Sequence, residues 1–218
     1  MRAIYWLFVF VLVLAATLYL TRPFLPAPEV SPSSAATPGQ KVNTNTNITN
    51  SPSMELLPPL SNALSRVTKK TFGLYVDPKH SPVSPERFTG FHTGVDFETF
   101  ADEQRIDVSV SAICPGPLVV KEYAKGYGGV AVQRCQIKQQ DVTIIYGHLR
   151  LASISKKVGD QLLAGQPFAV LGTAYSQETD GERKHLHLGI HLGVGVDIRG
   201  YVQNQAALAD WLDVRQYL

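Results

Sequence analysis

The apolar and polar positions divide this chain into three regions. The first is a continuous apolar run from Ile4 to Leu20, preceded by Met1-Arg2-Ala3 and ended by Thr21-Arg22-Pro23. At a helical rise of 1.5 Å per residue, a run of about 17 residues lies near the lower limit for crossing a bilayer core. It is also longer than the apolar core of an ordinary secretion signal. Residues 1–22 are therefore expected to form an uncleaved signal anchor or, alternatively, a cleaved signal peptide. In both cases the remainder is exported. No cysteine lies near the run, which excludes lipid attachment there.

Residues 23–60 are rich in Pro, Ser, Thr, Asn and Ala, and Asn43-Thr44-Asn45-Thr46-Asn47 is low-complexity. Such a stretch buries too little apolar surface to offset its ordering entropy, so a disordered linker is expected. The pattern changes again near residue 61. Leu60 to Val67 reads as a short helix with Ser61 as its cap. Beyond it, Ile106-Asp107-Val108-Ser109-Val110-Ser111 alternates with period two, as a half-buried strand does. Pro117 to Tyr123, Val130 to Gln133, Val142 to Tyr146, Phe168 to Gly172 and His185 to Leu192 read as further strands. The glycine-rich Lys125-Gly126-Tyr127-Gly128-Gly129 between the first two of these is a hairpin signal. A last helix is expected from about Gln205 to Asp213. Short strands punctuated by glycine predict a mainly β domain over 61–218, an antiparallel sheet or partly open barrel with short flanking helices.

Composition narrows the function. The formal net charge of the 218 residues is only +2, with basic residues scattered, which gives no electrostatic case for binding nucleic acid. The two cysteines, Cys114 and Cys135, flank the hairpin at positions that face each other if the turn centres near Lys125-Gly126. In an exported chain that placement predicts a disulfide, the alternative being two buried thiols. Neither belongs to a Cys-x-x-Cys pair, so a cysteine zinc site is not expected.

The chemistry concentrates in three stretches: Phe91-His92-Thr93-Gly94-Val95-Asp96, Tyr146-Gly147-His148-Leu149, and His185-Leu186-His187-Leu188-Gly189. Imidazole nitrogen with carboxylate oxygen suits zinc, and a catalytic zinc keeps three protein ligands and one open position. His92, Asp96 and one histidine of the His-x-His pair would supply that set. Strand alternation aims His185 and His187 at one face while Leu186 and Leu188 point into the core. His148 follows a strand end, a good place to present a reactive side chain. His191 reads as a strand-end surface residue and His80 as a loop residue without a role.

Together these stretches resemble the lysostaphin/LytM-type zinc metallopeptidases, which hydrolyse peptide cross-links of bacterial peptidoglycan. The resemblance covers roughly residues 70–200. It rests on the order His-x-x-x-Asp, Gly-Tyr-Gly hairpin, Tyr-x-His-Leu, Val-Gly-Asp followed by Gly-Gln, then His-Leu-His. It implies that His92, Asp96 and His187 bind Zn2+ and that His148 and His185 are the catalytic histidines, with their individual steps left open. It further implies the family's β fold and stem peptides or cross-bridges as substrate, and the apolar N-terminal run would place the domain on the outer side of a membrane, either anchored by that helix or secreted. The other readings are an inactive regulator of wall hydrolases and a zinc peptidase with another extracytoplasmic substrate. One departure stands out. The segment before His-x-His commonly carries small residues and Gly-Pro in this family, whereas here Tyr175 to Lys184 is longer and charged. That segment and the proline-bearing Ser81 to Phe88 are candidate rim elements of a cleft.

Overall fold

The computed structural model describes residues 56–218. The expected signal anchor over 1–22 and most of the linker over 23–60 lie outside the described residues. Among the described residues no helix is long and apolar enough to cross a membrane.

The strands are short. β1 (Tyr75–Val76), β2 (Gly90–His92), β3 (Gly94–Glu98) and β4 (Ser109–Ser111) precede the hairpin formed by β5 (Gly116–Ala124) and β6 (Gly128–Ile137). β7 (Gln140–Gly147), β8 (Gln161–Leu162), β9 (Pro167–Val170) and β10 (His185–Leu192) follow, then β11 (Tyr201–Val202) and β12 (Trp211–Leu212). The main sheet runs in the order β12-β10-β7-β6-β5-β8, with β3 paired to β10. β1, β2 and β11 make a smaller sheet, and β4 pairs with β9. Every pairing is antiparallel. The main sheet stays open, because β12 and β8 end it without pairing to each other. Of the two shapes expected from the sequence, sheet or barrel, the sheet is the one formed.

β10 is central, flanked by β7 on one edge and by β3 and then β12 on the other. Its alternation explains the position. Leu186, Leu188 and Ile190 are fully buried in the main core. Each contributes about 1.5–3 kcal/mol by leaving water. Leu56 and Leu60, from the stretch read as linker, also pack into this core, and the backbone N–H of Leu56 and Leu57 bond to the carbonyls of Tyr217 and Ile113. Cys114 and Cys135 form a disulfide with their Cα atoms 6.2 Å apart, as the hairpin register predicts.

The helices depart from expectation. Among the described residues all are single 3-10 segments. The first covers Ala63–Arg66, and the residue before it is Asn62 in left-handed backbone, so Ser61 is not its cap. Ser61 instead accepts hydrogen bonds from the buried Arg66, which also chelates the Glu103 carboxylate. The expected C-terminal helix is a 3-10 segment, Gln205–Asp210, that stops where Trp211 pairs opposite His191 on β10. Burying that indole against the sheet edge outweighs continuing the helix. The alternating stretch from Ile106 yields strand only at Ser109–Ser111, and Ile106 is exposed. Its carbonyl is taken by the buried Lys184 ammonium, which leaves it no part in a ladder.

Candidate metal and catalytic centre

The centre is laid out by strand register. Asp96 on β3 stands opposite His187 on β10, and His187 stands opposite Gly147 on β7. One row further, Glu98 stands opposite His185. Directly opposed residues in an antiparallel pair share a face. Asp96, Glu98, His185 and His187 therefore share one face, while Val95, Phe97, Leu186 and Leu188 are fully buried in the core on the other. His92 arrives from the smaller sheet, where it pairs opposite Tyr201. Thr93 carries the chain across to β3, its N–H bonded to the Gly200 carbonyl and its hydroxyl to the Arg199 carbonyl.

Three donor atoms converge there. His92 Nε2 lies 3.0 Å from His187 Nδ1, His187 Nδ1 lies 3.2 Å from Asp96 Oδ1, and His92 Nε2 lies 3.3 Å from Asp96 Oδ1. Zinc bonds of about 2.0–2.1 Å in tetrahedral geometry place neighbouring ligand atoms about 3.3 Å apart. The triangle has that size. His92 Nδ1 donates to the Thr71 carbonyl, an acceptor only, so Nε2 presents a lone pair to the triangle. Burial pushes the His187 imidazole down to about 4, which keeps it neutral at pH 7. Burial opposes ionisation of Asp96, but the His185 and His92 charges and the hydrogen bonds from His185 and His187 outweigh it and hold the carboxyl well below its ordinary value. The result is a buried cluster of two imidazoles and one carboxylate whose donor atoms fit a cation. These donors fit zinc.

His148 and His185 stand beside this cluster with ring centroids 4.2 Å apart. His185 Nδ1 donates to the Arg183 carbonyl at 2.9 Å, and its Nε2 faces Asp96 Oδ2 at 3.3 Å. His148 follows β7 in left-handed backbone, a conformation uncommon for a residue with a side chain. Its Nδ1 is buried without a protein partner, and burial together with the neighbouring His185 charge holds it well below the ordinary histidine value. Gly147 is required just before it, because a Cβ there would lie 2.3 Å from the Tyr127 ring. That ring packs 5.2 Å from His187 and 5.6 Å from His148. Asp96, His148, His185 and His187 all line one cavity of about 400 Å³, with Tyr127 and Tyr201 on its walls.

All five residues expected to form the site are thus brought together. His80 and His191 lie apart, the first exposed and paired with Asp77, the second against Trp211. The charged loop adds a residue that the motifs did not assign. Arg183 Nε donates to both oxygens of Glu98, and Nη2 donates to Asp96 Oδ2 at 2.8 Å. The only sequence signal for it is its position two residues before His185. Tyr201 is a second addition. Its hydroxyl accepts a hydrogen bond from Lys70 Nζ at 2.8 Å, and Lys70 forms a buried ion pair with Glu86. No local pattern marks these three as neighbours. The two rim segments also meet, since Arg87 pairs with Glu182 and Asp180, and Asp180 accepts hydrogen bonds from the Tyr123 hydroxyl and the Gly126 N–H.

An open antiparallel sheet with a buried His-Asp-His cluster at the floor of a cleft defines a class, the β proteins built around a metal-binding histidine and carboxylate centre. Within that class the chain belongs to peptidase family M23, whose pattern matches residues 90–199. The lysostaphin/LytM resemblance read from the motifs is that same family. Among solved structures, the catalytic domain of the antimicrobial peptidase lysostaphin from Staphylococcus simulans is similar at 20% identity, over 73% of this chain and 97% of its own, with a TM-score of 0.48. LytU is similar at 25% identity, over 70% of this chain and 90% of its own, with a TM-score of 0.45. A zinc-containing peptidase from Vibrio cholerae is similar at 22% identity, over 62% of this chain and 36% of its own, with a TM-score of 0.40. No curated protein matches.

Proposed function

We propose that this chain is a zinc metalloendopeptidase that hydrolyses peptide cross-links of bacterial peptidoglycan on the outer side of the membrane. The observation that carries the reading is the buried triangle of His92 Nε2, Asp96 Oδ1 and His187 Nδ1 with His148 and His185 beside it in one cleft. In this reading His92, Asp96 and His187 hold the metal. Zinc held there supplies Lewis acidity, which polarises a carbonyl and makes water nucleophilic near neutral pH.

The protein's own groups do the rest. The Thr71 carbonyl fixes the ring of His92 through its Nδ1 proton. The Arg183 carbonyl does the same for His185, so that His185 exchanges protons through Nε2. His148 and His185 together take a proton from the attacking water and return one to the leaving amine. The apolar run Ile4–Leu20 exports the chain and anchors it, and the residues between that run and the core residue Leu56 give the domain its reach towards the wall.

The test is direct. Purified protein should contain close to one zinc per chain, and His92→Ala or Asp96→Ala should abolish that content. Digestion of isolated peptidoglycan, followed by mass spectrometry, should release muropeptides cut at one type of peptide bond. Stripping zinc with a chelator should stop release, and zinc should restore it. Absence of release from walls of several cross-link chemistries would refute the proposal.

A further inference from the structure

The cleft holds two cationic groups whose hydrogen-bonding capacity is not used up by the protein. Arg183 lines the cavity and is anchored on two carboxylates, Glu98 through Nε and Nη2, and Asp96 through Nη2. Its Nη1, with two N–H donors, engages no acceptor among the described residues. The anchor is rigid, because Glu98 is set by strand pairing opposite His185. Lys125 in the β5–β6 turn is exposed, lines the same cavity and has no acidic partner among the described residues.

The acids of the cleft are already engaged. Glu182 pairs with Arg87 at 2.8 Å, and Asp96 belongs to the donor triangle and to Arg183. The other two cations are neutralised, Lys70 by Glu86 and Arg199 by Asp197. What the cleft offers an incoming peptide is therefore the unused Nη1 donors of Arg183 and the unpaired ammonium of Lys125. A neutral peptide offers these donors carbonyl oxygens only, without charge pairing. An anionic one engages both, and guanidinium donors suit carboxylate geometry.

We propose that Arg183 is a specificity-determining residue that binds a free carboxylate on the substrate residue flanking the scissile bond, with Lys125 assisting. This rests on the peptidase reading above and narrows it: stem peptides that keep a free carboxylate beside the cut are substrates, and uncharged glycine bridges are poor ones.

The experiment compares two synthetic peptides on the zinc-loaded protein, identical except that one carries a carboxylate and the other a carboxamide next to the scissile bond. Wild-type kcat/KM should fall roughly ten- to a hundredfold on amidation, the size of a charge-assisted hydrogen bond. Arg183→Gln should bring the ratio of kcat/KM on the carboxylate and carboxamide peptides close to one, whatever the overall rate, because Arg183 also holds Asp96, and Lys125→Ala should reduce that ratio. Equal rates on the two peptides with the wild-type protein would overturn the proposal without any variant having to fold. If neither peptide is cut, the peptidase reading fails, and calorimetric titration still decides this one. Tighter binding of the carboxylate peptide supports it, and equal or absent binding overturns it.

Discussion

Gly94→Ala adds one methyl group at the back of the donor triangle. A Cβ at Gly94 would lie 2.6 Å from the Leu188 carbonyl oxygen, and 2.7 and 2.8 Å from Nε2 and Cε1 of His187. Carbon atoms settle at about 3.5–4.0 Å from non-bonded neighbours, so roughly 1 Å of room is missing. The contact with the Leu188 carbonyl strains the β3–β10 ladder itself, and the imidazole of His187 has to move as well. Overpacking of this kind costs about 1–3 kcal/mol. The same displacement takes Nδ1 out of the 3.0 and 3.2 Å contacts that set the triangle. Disturbing what orients a ligand lowers metal affinity about 10- to 100-fold. Replacing glycine also stiffens the unfolded chain, worth about 0.4–1 kcal/mol in the opposite direction. Gly195→Ala is the matched control, since a Cβ there meets nothing within 4 Å. Urea unfolding of the metal-free proteins would give the steric cost, and competition with a chromophoric chelator would give the zinc affinity. If Gly94→Ala matched Gly195→Ala in both midpoint and affinity, the account of how the His187 ring is seated would be wrong.

His148→Ala and His185→Ala should each retain close to one zinc per chain while losing at least about 100-fold in hydrolysis, as expected of proton-transfer groups; loss of the metal in either variant would move that residue into the ligand set. Glu103→Gln leaves the buried Arg66 guanidinium short of its bidentate partner, and because the Glu103 side is partly exposed it should cost about 1–3 kcal/mol in urea unfolding, no measurable cost refuting the argument. The hydrogen bonds from Arg66 hold the Glu103 carboxyl below its ordinary value. This stabilisation is complete above the unfolded carboxylate value of about 4.3 and is lost as pH falls through the lower folded value, so the acid limb of the wild type should flatten in Glu103→Gln. Reducing the Cys114–Cys135 bridge, whose ends are 21 positions apart, should lower stability by about 3 kcal/mol in thermal or urea unfolding, and an unchanged midpoint would count against it.

What could be read from the sequence was local. The span of β10 follows from alternation over eight consecutive residues, His185–Leu192, and needs no partner to be seen. The same is true of the hairpin around Lys125-Gly126 and of the His-x-x-x-Asp spacing. The facing of Asp96 and His187 is different in kind. Neither segment states which row of the other it will meet, and a slip of one residue would turn every side chain to the opposite face. The family resemblance supplied that pairing. Arg183 shows the limit from another side. In sequence it is half of a basic pair on a charged loop, and only the register of Glu98 opposite His185 turns it inwards. The C-terminal segment misleads for the reverse reason. Gln205 onwards has helical character, but the exposed edge of β10 competes for Trp211 and wins.

The single row Asp96, His187, Gly147 also bears on when the protein becomes able to act. Asp96 and His187 are 91 positions apart, and β10 needs β7 along its other edge as well. Bringing such distant segments together has an entropic cost that local contacts do not share. His92 and Asp96 lie close in sequence but offer a metal only two donors. A chain still emerging or still extended therefore carries scattered weak ligands and no complete donor set. A complete donor set arrives only with the last long-range pairing, so the order of folding itself decides when the chain can hold a metal.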